Sequence, residues 1–416
     1  MTAAADMLPY RDPDASHAER IADLLGRMTV DEKIAQLGSA WVFQIAGPDG
    51  FDPVRAEPIL RDGIGHITRV SGASRFDSAG AAALVDDLQR HLLDHTRLGI
   101  PAIVHEEICS GLMASEAVAF AQAIGVAASF RPEHNQAMAD EIRKQMRAIG
   151  AHHGLSPVLD ICRDPRWGRI EETYGEDPFL VSAMGVAFVR GLQGDDLREG
   201  VAATAKHLVG YGASEGGMNW APAHLTEREL RDVYLRPFEA VVREAALESI
   251  MNAYHEIDGV PCGASEWLLR TVLRDEWGFD GTVVSDYFSV KQLHDYHHVV
   301  ADDVAAAVLG LSTGIDVELP STDCYGAPLR DAIERGRIGI DVVDTAVARA
   351  LEAKLRLGLF EQPFVGREHV RLHTRTDAQL ALADRVAADT LVLLRNDGAL
   401  PLAPSASIAL IGPNAD

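Results

Sequence analysis

The chain has 416 residues, 47% of them hydrophobic, which is too long for one ordinary small domain and ample for a large core. Its formal charge of −24, from 38 basic and 62 acidic side chains, repels phosphate backbones and anionic headgroups, which argues against nucleic acid and membranes as partners. The four cysteines, Cys109, Cys162, Cys262 and Cys324, are scattered, with no C-x-x-C pair and no histidine at zinc spacing, so buried reduced thiols are expected rather than disulfides or a structural metal.

The first residues, MTAAADMLPYRDPDAS, lack a basic region followed by an apolar one, and no run of about 18 apolar residues occurs anywhere. A cytoplasmic protein is the expectation. Two helices open the chain. Ser16 with Glu19, and Thr29 with Glu32, each read as a capping box. Ile21, Leu24, Leu25 and Met28 follow at helical spacing, and Gly38 can end the second helix.

Short apolar runs then alternate with helical patterns. The runs are 63–68 (GIGHIT), 100–107 (IPAIVHEE), 154–160 (GLSPVLD), 202–208 (AATAKHL), 249–254 (SIMNAY), 282–287 (TVVSDY) and 314–319 (GIDVEL). Between them, Met138, Ile142, Met146 and Ile149 mark one amphipathic helix, Thr226 with Glu229 caps another, and residues 267–277 lie in a third. Alternation of strands and helices argues for a parallel sheet, and seven strands with a weak eighth fit a closed barrel better than an open sheet. A closing helix is expected at 341–357, ending at Gly358. A linker at 360–375, a helix at 376–390 and a strand with a turn in 407–416 (SIALIGPNAD) follow. The expected division is a barrel at 1–358, a linker with a helix at 359–406, and the start of an incomplete α/β domain at 407–416.

Several runs end in polar residues: Glu106 and Glu107, Asp160, Lys206 and His207, Tyr254, Asp286, and Glu318. In a (β/α) barrel the carboxyl ends of the strands surround the active site, so these groups are expected around one mouth. Asp286 at an apolar strand tip can attack an anomeric carbon, although strand-end aspartates also cap helices. Lys206 and His207 can donate to sugar hydroxyls, but strand alternation lets only one of them face the axis unless the strand ends there. The segment 163–172 (RDPRWGRIEE) is dense in arginine and carboxylate and reads either as a substrate contact or as a self-contained ion-pair loop.

The runs IPAIVHEE, RDPRWGRIEETYGEDP, KHLVGYGASEGGMNWAP, SIMNAYHEIDGVPCGAS and GFDGTVVSDY, with SIALIGPNAD, resemble glycoside hydrolase family 3 in order along almost the whole chain. The likeness is to the bacterial β-glucosidase and β-xylosidase branch. It implies a TIM-like (β/α)8 barrel followed by an α/β sandwich, and a retaining β-glycosidase that needs no cofactor or metal and takes a small-molecule or oligosaccharide substrate. It implies Asp286 as nucleophile, and Glu107 (with Glu106 as the register alternative), Arg169, Lys206, His207, Met251 and Tyr254 around the sugar. Leu208 stands where the family usually has phenylalanine, Ala121 where it often has proline, and Tyr287 where relatives use tryptophan at the aglycone site. The resemblance puts the general acid in the second domain. The loop GYGASEGGMNWAPAHL offers Glu215 and His224 but no dyad like that of the hexosaminidase branch. Two rivals remain at this stage: a Schiff-base aldolase using Lys206, and a sugar-binding paralogue without catalysis. Self-association into a homo-oligomer is compatible with the sequence, which does not fix the sugar or the linkage.

Overall fold

The computed structural model describes residues 8–412 and Ala415. Seven strands, β1 (Ser39–Trp41), β2 (His66–Thr68), β3 (Ile103–Glu106), β4 (His153–Gly154), β5 (Ala202–Leu208), β6 (Ser249–Asn252) and β7 (Thr282–Val284), form one sheet in chain order. Every neighbouring pair is parallel. The segment 315–319 is the eighth stave. It bridges β7 through Val317 and Val284, and its other edge reaches the start of β1, where the Glu318 amide donates to the Leu37 carbonyl at 2.9 Å. The ring is thereby closed as a TIM-like barrel.

Local sequence explains the surrounding helices. Both expected capping boxes form, Ser16–Glu19 on α1 (His17–Arg27) and Thr29–Glu32 on α2 (Val30–Gln36). The outer ring follows in order: α3 (Ser78–His95), α4 (Pro132–Ala148), α5 (Pro178–Gln193), α6 (Arg236–Ala245), a π-helical turn set at Trp267–Glu276, α7 (Ser289–Asp295), α8 (Asp303–Thr313) and α9 (Ile340–Arg356). Met138, Ile142 and Met146 line the buried stripe of α4, as their spacing predicts. At the start of β2 the backbone runs so close to the preceding turn that a Cβ on Gly65 would stand 2.2 Å from the Gln36 carbonyl oxygen, so only glycine fits.

The barrel floor is polar. Lys354 of α9 is fully buried and donates to Gln36 Oε1 at 2.5 Å and to the Ile64 carbonyl at 3.0 Å. No carboxylate among the described residues pairs with it, and burial brings its pKa down to about 7. Above it the inward-facing rings of His66, His105 and His153 stand 5.6–6.4 Å apart. Burial keeps all three neutral, with His153 lowered to about 4.

Two expectations need correction. The run 154–160 is not one strand: β4 covers two residues, because Pro157 has no N–H to continue the ladder, and pairing resumes only as a bridge from Val158 to Lys206. The stretch 407–412 forms no strand. It is exposed (Ile408 at 72%, Ile411 at 90%) and has no neighbouring edge among the described residues to supply a ladder. Residues 413, 414 and 416 of that expected strand and turn lie outside the described ones. The linker contains a short helix, α10 (Arg367–His373). The following helix, α11 (Asp377–Asp389), is capped by Thr376 and Gln379 and packs on α4. The four cysteines are free, three of them buried, and no described helix is long and apolar enough to cross a membrane.

Candidate active site

Asp286 follows β7 directly, so the closed sheet places its carboxylate at the barrel mouth. The side chain is 10% exposed. The Tyr287 amide donates to Oδ1 at 2.8 Å, while Oδ2 accepts no hydrogen bond of ordinary geometry from the described residues. Burial raises the pKa to about 6. Lys206, Arg169, the Tyr287 amide and the Tyr254 hydroxyl favour the ionised form and limit the rise. One carboxylate oxygen is thus anchored and the other is left unbonded among the described residues.

Lys206 and His207 both converge on this point. The β5 ladder shifts register between Ala205 and Leu208, so strict alternation fails where it would have sent the two side chains apart. Lys206 Nζ donates to Glu107 Oε2 at 2.8 Å. Burial disfavours its charge, but the Glu107 carboxylate outweighs that and holds the ammonium above its ordinary range. His207 Nε2 lies 3.5 Å from Asp286 Oδ2. On its other side, Asp160 Oδ2 lies 2.7 Å from His207 Nδ1 and accepts from the His207 backbone N–H at 3.1 Å. Burial, with Arg169 and Lys206 nearby, keeps His207 neutral.

The alternative at 106/107 resolves to Glu107. Glu106 points away, buried, and accepts from the amides of Ser71 and Gly72, which fastens the loop after β2. Glu318, another predicted tip, likewise turns inward to three amides, those of Asp323, Cys324 and Tyr325. In the 163–172 segment two arginines are ion-paired within the loop. Arg166 pairs with Asp164 at the surface. Arg169 is clamped by Glu172 at 2.6 and 2.8 Å, yet its guanidinium also lies over the Tyr211 ring and sends its charge toward Asp286. Tyr254 stands beside Asp286, packed against Tyr211 and Trp220. Met251 is 1% exposed and joins Leu155, Val284, Val317 and Leu319 in an apolar layer on which Tyr287 rests. This layer lies beneath the Tyr287 ring. His224 and Glu215 come within 3.7 Å of each other, but on an open loop, with side chains 74% and 68% exposed.

Two residues missed from sequence, Trp41 and Phe43, complete the mouth beside Tyr287. Tyr287 donates or accepts at 3.0 Å with His105 Nε2, meets Trp41 edge-on at 5.6 Å, and Trp41 stacks on Phe43 at 5.4 Å. An aromatic ledge therefore runs outward from Asp286. Its signal was the W-x-F of 41–43, hidden because β1 has only three residues before the chain turns helical. A group of His294, Asp295 and Asp303 has metal-like proximity, but Lys291 Nζ sits 3.4 Å from Asp303 and 4.0 Å from Asp295 and supplies the positive charge.

The sequence and the fold have relatives. A β-xylosidase of Formosa agariphila is 40% identical over 77% of this chain and 47% of its own length. A periplasmic β-glucosidase of Salmonella typhimurium is 32% identical over 95% of this chain and 50% of its own. Among solved structures, a β-glucosidase from Erythrobacter marinus superposes with a TM-score of 0.88 at 38% identity, over 95% of this chain and 52% of that one. A Listeria innocua β-glucosidase in complex with glucose gives 0.82 at 32% identity, over 92% and 53%. The chain spans about half the length of the curated relatives it matches. The family model for the glycosyl hydrolase family 3 N-terminal domain matches residues 29–353, and the chain belongs to that family.

Proposed function

We propose that this chain carries the sugar-binding and nucleophile half of a retaining β-glycosidase that acts on terminal β-glucosyl or β-xylosyl residues. The observation that carries the reading is Asp286: one oxygen held by the Tyr287 amide, the other free, with Lys206, Arg169 and His207 around it. In the proposed reaction Oδ2 attacks the anomeric carbon, the glycosidic bond breaks, and a glycosyl ester forms on Asp286. Water then cleaves the ester with net retention. Glu107, Lys206 and His207 hold the sugar hydroxyls in the ring shape that the transition state prefers. The ledge of Tyr287, Trp41 and Phe43 offers flat faces to the leaving sugar.

A Schiff-base reading of Lys206 requires a neutral amine. The Glu107 partner holds Lys206 protonated, which is the opposite requirement. The test is labelling with an activated 2-fluoro-glycoside. The expected result is a mass increment on the peptide that contains Asp286, and none in Asp286→Ala. Labelling at Lys206, or none on the intact protein, would sink the proposal.

A further inference from the structure

Asp160 lies at the carboxyl end of the fourth stave, does not touch the pocket, and is 1% exposed. Its contacts are one-sided. Oδ2 meets two nitrogens of the same residue, the backbone N–H of His207 at 3.1 Å and ring Nδ1 at 2.7 Å, while Oδ1 has no partner among the described residues. The backbone nitrogen can only donate, so Oδ2 acts as an acceptor there. Burial pushes the Asp160 carboxyl up to about 7, while the Arg169 guanidinium and the amides of His207 and Tyr211 pull it toward the carboxylate. Burial lowers His207 as it raises Asp160, so geometry decides where the shared proton rests: one oxygen, Oδ2, faces both the backbone N–H and Nδ1, and two donors converging on it stabilise the carboxylate on the side where its contacts lie, with the proton on Nδ1.

We propose that Asp160 is a positioning residue that fixes His207 as its Nδ1–H tautomer, so that the Nε2 lone pair faces the pocket beside Asp286 Oδ2. Two consequences follow, both resting on the glycosidase reading above. His207 accepts from a sugar hydroxyl and does not donate to one, so the hydroxyl over it must carry its own proton. Asp286 Oδ2, 3.5 Å away, is also not tied up by an Nε2–H donor and keeps its lone pair for attack. With the opposite tautomer, Nε2–H would bond the nucleophile and blunt it. The Tyr211 ring, edge-on to His207 at 5.2 Å, keeps the imidazole from swinging out of this plane.

The test reads the tautomer directly. A long-range proton–nitrogen correlation spectrum of the histidine-labelled chain, with the His207 signal assigned by its loss in His207→Gln, should show Nδ1 protonated and Nε2 bare at pH 7. Protonated Nε2, alone or as imidazolium, overturns the proposal. Asp160→Asn keeps an acceptor oxygen at the Oδ2 position, so the tautomer and the affinity for glucose should stay within a few-fold of the parent. Asp160→Ala should give a mixed tautomer and weaken glucose on the order of tenfold or more, the scale of a lost charge-assisted hydrogen bond. Equal behaviour of Asn and Ala, or an unchanged spectrum in Ala, also overturns it. Should Asp160→Ala not fold, the parent spectrum and Asp160→Asn still decide. A chain with the expected tautomer that takes up no sugar would refute the glycosidase reading and leave the tautomer assignment standing.

Discussion

In the proposed reaction Asp286 must be ionised to attack, and burial raises its pKa to about 6. The rate on activated aryl glycosides, as kcat/KM, should therefore be level above pH 6 and fall about tenfold per pH unit below it. The nearby cations hold this limb down, so it should move toward higher pH in Lys206→Met. The same variant leaves Glu107 without its partner, and because that carboxylate is 22% exposed the cost falls below the ~3–5 kcal/mol of a fully buried pair. Thermal unfolding should reveal that loss independently of activity. Tyr287→Phe removes only a neutral hydrogen bond to His105, worth about 1 kcal/mol, and keeps the ring against Trp41. Its effect on kcat/KM should stay under about tenfold, whereas Asp286→Ala should leave no turnover above background.

The staves of the barrel have two ends with different duties. At the floor, Lys354 of α9 donates to two carbonyl oxygens and has no carboxylate partner among the described residues. Its folded pKa of about 7 lies below the unfolded value of about 10.4. The unfolded chain thus binds a proton that the folded one does not, and stability falls as the pH drops from about 10 to about 7. Relative to Lys354→Met, the parent should lose up to about 1.4 kcal/mol for each pH unit in that window, as read from urea midpoints. At the mouth, the strand tips were legible because a closed parallel sheet sends them all to one place, and apolar runs ending in polar residues mark it. Which tips face the pocket was not legible. Glu106 and Glu107 differ by one step of alternation, and only the fold shows that the first is spent on the Ser71 and Gly72 amides. Lys206 and His207 broke the alternation rule through a register shift that no pattern of residues announces.

For the molecule as a whole, proton donation to the leaving group is the open requirement. In retaining glycosidases the second carboxyl group stands about 5–5.5 Å from the nucleophile. Around Asp286 the acids are already engaged: Glu107 with Lys206, Glu172 with Arg169, Asp160 with His207, Glu106 with backbone amides. We therefore propose that a carboxyl group outside this barrel supplies the proton. These 416 residues alone should cleave dinitrophenyl glycosides, whose leaving groups need little protonation, and leave cellobiose and xylobiose essentially untouched. Steady turnover of either disaccharide by this chain would refute that assignment. The alternation of strands and helices revealed the barrel, because each apolar run had a helical pattern beside it. The first stave escaped notice because three residues are too few to show a period.

Trp41 stands edge-on to Tyr287, the residue after Asp286, and the chain has only five tryptophans. A sugar ring laid on that indole displaces water from its surface, which alters its emission. The protein therefore carries its own optical gauge of occupancy, and titration with an inert sugar can be followed without a dye, with Trp41→Phe as the blank.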